Sequence, residues 1–82
     1  MATPEAELAA LKEELRQLAA YLHERGEKSL KLSRQFQEHA QSERDASNRE
    51  YDLRQATMLD YQHHVWHEIG NLVEKLLKQH EQ

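Results

Sequence analysis

Five leucines recur at intervals of three and four residues near the N-terminus of the chain: Leu8, Leu11, Leu15, Leu18 and Leu22. On an α-helix this spacing places all five side chains in one narrow stripe, because three or four residues complete about one turn. A stripe this narrow is unsuited to the centre of a globule and fits a similar stripe on another helix. This leucine ladder therefore predicts long, coiled-coil-like helices that pack against each other.

The composition limits how much core one copy of the chain can bury. The chain has 82 residues, of which 38% are hydrophobic and 32% are charged. A chain of this size buries only roughly 60–65% of its unfolded surface, while ordering the backbone costs about 1–2 kcal/mol per residue. The sequence therefore favours a homo-oligomer, with a dimer as the preferred assembly. Because the chain contains no cysteine, disulfides and thiolate metal ligands are excluded.

The first helix has a clear start and two alternative ends. Thr3 is suited to the N-cap and Pro4 to the first helical position, so the helix should begin there. Gly26 favours an end near residue 25, which predicts a first helix over about 4–25. The alternative is a helix that continues through Gly26, because an interior glycine costs only about 1 kcal/mol relative to alanine.

A second helix is predicted over about 28–46, and its relation to a third helix over about 48–79 stays open. Residues 41–50 contain a single apolar side chain, and Ser42 and Ser47 each precede an acidic residue at capping-box spacing. A break between residues 42 and 48 would separate the two helices. Without that break, one helix would extend from about residue 28 to residue 79.

The last helix carries the broadest apolar surface of the chain. Its large apolar side chains cover an arc of about 160° at 100° per residue, which is wide enough to contact two neighbouring helices. We therefore expect residues 58–77 to be the best-buried element, packed against the first helix, with a second copy completing the core. The predicted core and interface residues are Leu8, Leu11, Leu15, Leu18, Leu22, Leu32, Phe36, Met58, Val65, Trp66, Ile69, Leu72, Val73 and Leu76.

Together these patterns predict an all-α fold over a single domain, residues 1–82. Its form is a helical hairpin or a three-helix unit with long, coiled-coil-like helices. Copies of this unit should assemble into a helical bundle as a homo-oligomer.

Four polar residues on the last helix have the spacing of metal ligands: Asp60, His63, His64 and His67. His63 and His67 are one helical turn apart, and imidazoles at this spacing beside a carboxylate can bind a divalent transition metal. On a helical wheel, however, Asp60, His64 and His67 lie opposite the apolar arc, and His63 lies at its margin. The sequence therefore offers a metal site only as an alternative to a solvated histidine face.

The charge distribution argues against nucleic acid as a partner. The net charge is −4, whereas binding to a duplex requires a cationic surface. One short basic stripe, formed by Arg25, Lys28, Lys31 and Arg34, is the exception. Because the N-terminal segment is acidic and no apolar run approaches 18 residues, we expect a cytoplasmic protein without a membrane span.

The sequence favours binding over catalysis. It contains no phosphate-binding glycine-rich loop, nucleophile motif or EF-hand loop, and no internal repeat is evident. No catalytic residue and no bound cofactor is therefore predicted. We expect a non-enzymatic protein–protein interaction module, an adaptor, scaffold or small regulator that binds through self-association and partner helices. The alternatives are a metal-binding bundle and a nucleic-acid-associated helical dimer using the basic stripe.

Overall fold

Two long antiparallel helices form the whole fold. The computed structural model describes residues 3–81, with α1 over Pro4–Ser42 and α2 over Ala46–His80. They pack into an elongated hairpin of 63 × 22 × 13 Å. The all-α prediction is confirmed, and of its two predicted forms the structure shows the hairpin. The first two residues and the last residue of the predicted domain lie outside the described range.

The predicted start of α1 is confirmed. The side-chain oxygen of Thr3 accepts a hydrogen bond from the backbone N–H of Ala6 at 3.1 Å, and Pro4 begins the helix. Glu5 and Glu7 lie in the first turn, where the positive end of the helix dipole favours acidic side chains. The N-terminal signals therefore act as expected.

The predicted break at Gly26 is wrong, because α1 continues through this residue for 39 residues in all. No glycine in the described part of the chain has a positive φ, so Gly26 does not adopt the left-handed conformation that ends helices. It lies instead in the contact with α2, where its lack of a side chain is used. The separate helices predicted over about 4–25 and 28–46 are one helix.

A three-residue turn, Glu43 to Asp45, joins the helices and falls within the predicted window of residues 42–48. Asp45 caps α2, because its carboxylate accepts two backbone N–H groups of the first turn at 2.8 and 3.2 Å. The Arg49 guanidinium donates to the carbonyl oxygen of Glu43 at 2.9 Å and closes the turn. One continuous helix through this region is thereby excluded, and the cap is an aspartate rather than either predicted serine.

The contact between the helices, here called the seam, is lined mainly by small side chains. Along α1 the buried positions alternate at intervals of three and four residues between residues 19 and 33. Glycine, alanine and serine at these positions allow the two backbones to approach closely. The buried residues of the seam are Ala19, Leu22, Gly26, Ser29, Ser33 and Ala40 of α1, and Asp52, Ala56, Gly70 and Leu77 of α2.

Many of the residues predicted to form the core are not buried between the two helices of one chain. Of the leucine ladder, only Leu22 is buried, and Leu15 is half-buried. Seven large apolar side chains remain 41–55% exposed. Their helical positions place them along one side of the seam, here called the apolar face, because most of them directly precede a buried seam residue. They are Leu8, Leu11, Leu18 and Leu32 of α1 and Ile69, Leu72 and Leu76 of α2.

Residues 58–77 are not the best-buried element of one chain. Val65, Trp66 and Val73 are half-buried, as is Phe36 on α1, and Met58 is exposed. The expectation failed because the apolar arc is divided between the edge of the seam and the apolar face. Because small residues occupy the seam, part of the apolar arc faces away from α1. The place of these exposed residues in an interface between chains stays a prediction.

Polar contacts fix the two helices along the seam and at its open end. Ser33, which is 1% exposed, donates its hydroxyl to the backbone carbonyl oxygen of Ala56 at 2.7 Å. At the open end, the Lys12 ammonium donates to the carbonyl oxygen of His80 at 3.0 Å. These contacts link backbone or side-chain groups that are far apart in sequence and therefore set the register of the hairpin.

We expect Ser33→Ala to lower the free energy of unfolding by about 0.5–1.5 kcal/mol, because a buried hydrogen bond is lost. Ser33→Leu should cost about 1–3 kcal/mol, because a large side chain overpacks the seam. Urea unfolding followed by circular dichroism, at one protein concentration, measures both. As a control, the exposed Ser47→Ala should stay within about 0.5 kcal/mol. Equal effects of the two alanine substitutions would contradict the close seam.

Candidate metal centre

Both glycines of the chain face a histidine from the opposite helix near the middle of the hairpin. A Cβ atom on Gly26 would lie 2.8 Å from two ring atoms of His67. A Cβ atom on Gly70 would lie 2.9 Å from Nε2 of His23. Each glycine therefore makes room for one imidazole in the seam.

The sequence carries this arrangement as a short motif that occurs once in each helix. His-Glu-x-Gly is found at residues 23–26 and again at residues 67–70. Because the helices are antiparallel, the histidine of each motif lies opposite the glycine of the other. The expectation that no repeat is present missed this signal, which is only four residues long.

A chain of hydrogen bonds crosses the seam through the two histidines. Nδ1 of His23 lies 2.7 Å from Nδ1 of His67. Nε2 of His23 lies 2.9 Å from Oε1 of Glu74, and Nε2 of His67 lies 3.0 Å from Oε1 of Glu27. Ionised carboxylates only accept hydrogen bonds, so each outer nitrogen must carry a proton.

His63 is oriented by the backbone of α1. Its Nδ1 lies 3.0 Å from the carbonyl oxygen of Gly26, which can only accept, so Nδ1 carries the proton. Nε2 of His63 therefore presents a lone pair. The rings of His63 and His67 meet edge to face, with centroids 4.6 Å apart.

Donor atoms of three residues come together beside the hydrogen bonds that cross the seam: Glu27, His63 and His67. One ligand atom of each lies within 4.8 Å of the others. The structure thus brings together two of the four sequence-predicted ligands and adds Glu27 from α1. Sequence spacing gave no sign of Glu27, because it lies 40 residues from His67 and joins it only through the antiparallel fold.

Asp60 and His64 do not join this group. They face each other on the exposed side of α2, with Nε2 of His64 3.8 Å from a carboxylate oxygen of Asp60. The expectation that His67 is solvated with them is wrong, because His67 packs against Gly26 in the seam. The helical wheel predicted the wrong position for His67, because the centre of the apolar arc was assumed to contact α1.

A second group, His39, Glu43 and Asp52, lies at the turn. His39 is hydrogen-bonded to the buried carboxylate of Asp52, which raises the pKa of His39 through this bond and through its charge. The Glu43 carboxylate accepts the backbone N–H of Asp45 at 3.0 Å. These carboxylates are thus engaged in holding the turn, and the group supplies a single imidazole.

The basic stripe is interspersed with acidic and aromatic groups. The Arg25 guanidinium lies over the Trp66 ring, 5.6 Å from its centroid. Lys28 forms an ion pair with Glu24 at 3.3 Å. Two of the four basic residues therefore have local partners within the chain, and the alternative of a contact with nucleic acid gains no support.

No model of a protein family matches the chain, and no curated protein or solved structure is significantly similar to it. Within residues 3–81, neither helix contains an apolar stretch of the length that a bilayer crossing requires. The assignment of a function therefore depends on the residues and their geometry.

We expect the His39–Asp52 contact to stabilise the fold most at pH values below about 6.5, the ordinary pKa of histidine. A group whose pKa is raised by folding contributes stability that is lost as the pH rises through its folded-state pKa. The stability difference between the unaltered chain and His39→Gln should therefore shrink as the pH rises above about 6.5. Urea unfolding across this range measures it.

The matched control is the same His39→Gln change in an Asp52→Asn background, where this pH dependence should disappear. A stability difference that grows with pH, or that persists unchanged without the Asp52 carboxylate, would contradict the assigned cause.

Proposed function

We propose that the protein is a non-enzymatic interaction module that acts as a homodimer, with two hairpins paired through their apolar faces. The observation that carries this proposal is the apolar face itself. Its seven large side chains are 41–55% exposed, whereas Leu22 and Leu77 are the only large apolar side chains that one chain buries among its described residues. Each such side chain contributes about 1.5–3 kcal/mol when it is fully buried.

The size of the hairpin supports a second copy as the occupant of this face. The apolar face extends over about 36 Å of α1, at 1.5 Å per residue, on a hairpin that is 22 Å wide. This area is close to the about 800 Å² per partner of a standard protein interface. The hairpin is only 13 Å thick, so its core consists of a single contact between two helices. Two hairpins placed face to face form a four-helix bundle, which is a stable arrangement for amphipathic helices.

The charges beside the apolar face favour an antiparallel pairing of the two copies. Residues of α1 spaced by seven lie on one line next to this face: Glu7, Glu14, Tyr21, Lys28 and Gln35. Tyr21 lies at the middle of the apolar face, which extends along α1 from residue 8 to residue 32. A two-fold axis near Tyr21 brings Glu14 of each copy next to Lys28 of the partner subunit.

The proposed role is to hold two copies together and to present their polar ends to a partner protein. The turn end of the hairpin supports this role, because residues 37–52 are polar and exposed apart from a few positions. Tyr51 in this segment and Leu53 just after it are 55% and 48% exposed and can anchor a contact.

Sedimentation equilibrium tests the pairing. The unaltered chain should have twice the mass of its 9.7 kDa monomer at micromolar concentration. Glu14→Lys and Lys28→Glu should each weaken the dimer about tenfold, because each creates two like-charge contacts by symmetry. The double variant should restore most of the affinity, since the opposite charges again face each other.

Glu38→Lys is the matched control, because it makes the same charge change away from the apolar face and should leave the affinity within about twofold. A folded monomer at these concentrations would overturn the proposal of a dimer. A dimer that the two single variants weaken and the double variant fails to restore would overturn the antiparallel arrangement.

A further inference from the structure

We infer that Glu27, His63 and His67 form a binding site for one divalent transition-metal ion in each chain. Glu27 directly follows the buried Gly26, whereas most residues of the apolar face directly precede a buried position. By helical position the site therefore lies on the other side of the seam from the proposed dimer interface. Two imidazoles and a carboxylate are donors that suit zinc, nickel and cobalt. Because the donors come from both helices, the ion would join α1 to α2 at the middle of the hairpin.

The donor atoms already lie close to the spacing of a metal site, and one of the three donors is exposed. The donor atoms lie within 4.8 Å of one another, and His67 Nε2 already lies 3.0 Å from Glu27 Oε1. In a tetrahedral site with metal–ligand bonds of about 2.0–2.1 Å, the donors are about 3.4 Å apart. The Glu27 side chain is 66% exposed and is free to make this adjustment.

The surrounding hydrogen bonds already orient both histidines as ligands. The Gly26 carbonyl oxygen holds the proton of His63 on Nδ1, which leaves Nε2 for the metal. When a metal occupies Nε2 of His67, its Nδ1–H donates to His23. The Nε2–H of His23 then donates to Glu74. The bond between the two histidines and the bond from His23 to Glu74 are thereby kept, and the metal ion takes the place of the proton between His67 and Glu27.

Gly26 is a positioning residue for this site. A methyl group there would lie 2.8 Å from Nε2 and Cδ2 of His67, so the ring must move. Gly26→Ala should therefore weaken metal binding. It should not unfold α1, because alanine favours a helix interior over glycine by about 1 kcal/mol.

Calorimetric titration with zinc and with nickel, on a chain prepared without a polyhistidine tag, tests the inference. We expect one ion per chain with a dissociation constant below about 100 μM. His67→Gln and Glu27→Gln should each weaken binding at least tenfold. Gly26→Ala should weaken it as well, with the helical circular dichroism signal retained.

The matched controls are His64→Gln and Asp60→Asn, which remove the other pair of sequence-predicted ligands and should change the affinity less than twofold. An intense visible absorption on binding of Co²⁺ would mark a four-coordinate site. Absence of binding at about 100 μM metal would overturn the inference. So would binding that Glu27→Gln leaves unchanged, because His63 and His67 would then act alone on α2.

Discussion

The close approach of the two helices determines their register and the direction of their large side chains. Gly26 and Gly70 leave space in the seam, and His67 and His23 fill it from the opposite helix. Ser33 completes this polar contact by donating to a backbone carbonyl group of α2. With small and polar residues at the closest positions, the helices meet in one register, and most large apolar side chains are directed elsewhere.

This arrangement gives the hairpin two different sides. On one side, His23 and His67 link Glu74 to Glu27 across the seam. On the other side, the apolar face leaves seven large side chains partly exposed. The first side carries the donors of the proposed metal site, and the second carries the apolar side chains of the proposed dimer interface. The proposed metal site and the proposed dimer interface therefore lie on separate surfaces, and each can be tested without the other.

Local signals in the sequence predicted the helices well and their contact poorly. The cap at Thr3, the helical composition and the turn between residues 42 and 48 depend on neighbouring residues, and the structure agrees with them. The seam was missed because glycine, serine and alanine contribute little to an apolar pattern. Large side chains dominated the helical wheel, which placed His67 in solvent. The contact between Glu27 and His67 forms because the helices are antiparallel. Residue spacing along one helix cannot reveal it.

We propose that two hairpins pair antiparallel about an axis near Tyr21. Because the chain has no cysteine, a single Gln35→Cys substitution carries one nitroxide spin label per copy. Residue 35 lies 14 positions from Tyr21, so the two labels should be about 42 Å apart at 1.5 Å per residue. A distance below about 20 Å would indicate parallel α1 helices, and the absence of dipolar coupling would indicate a monomer. Either result would contradict the antiparallel dimer.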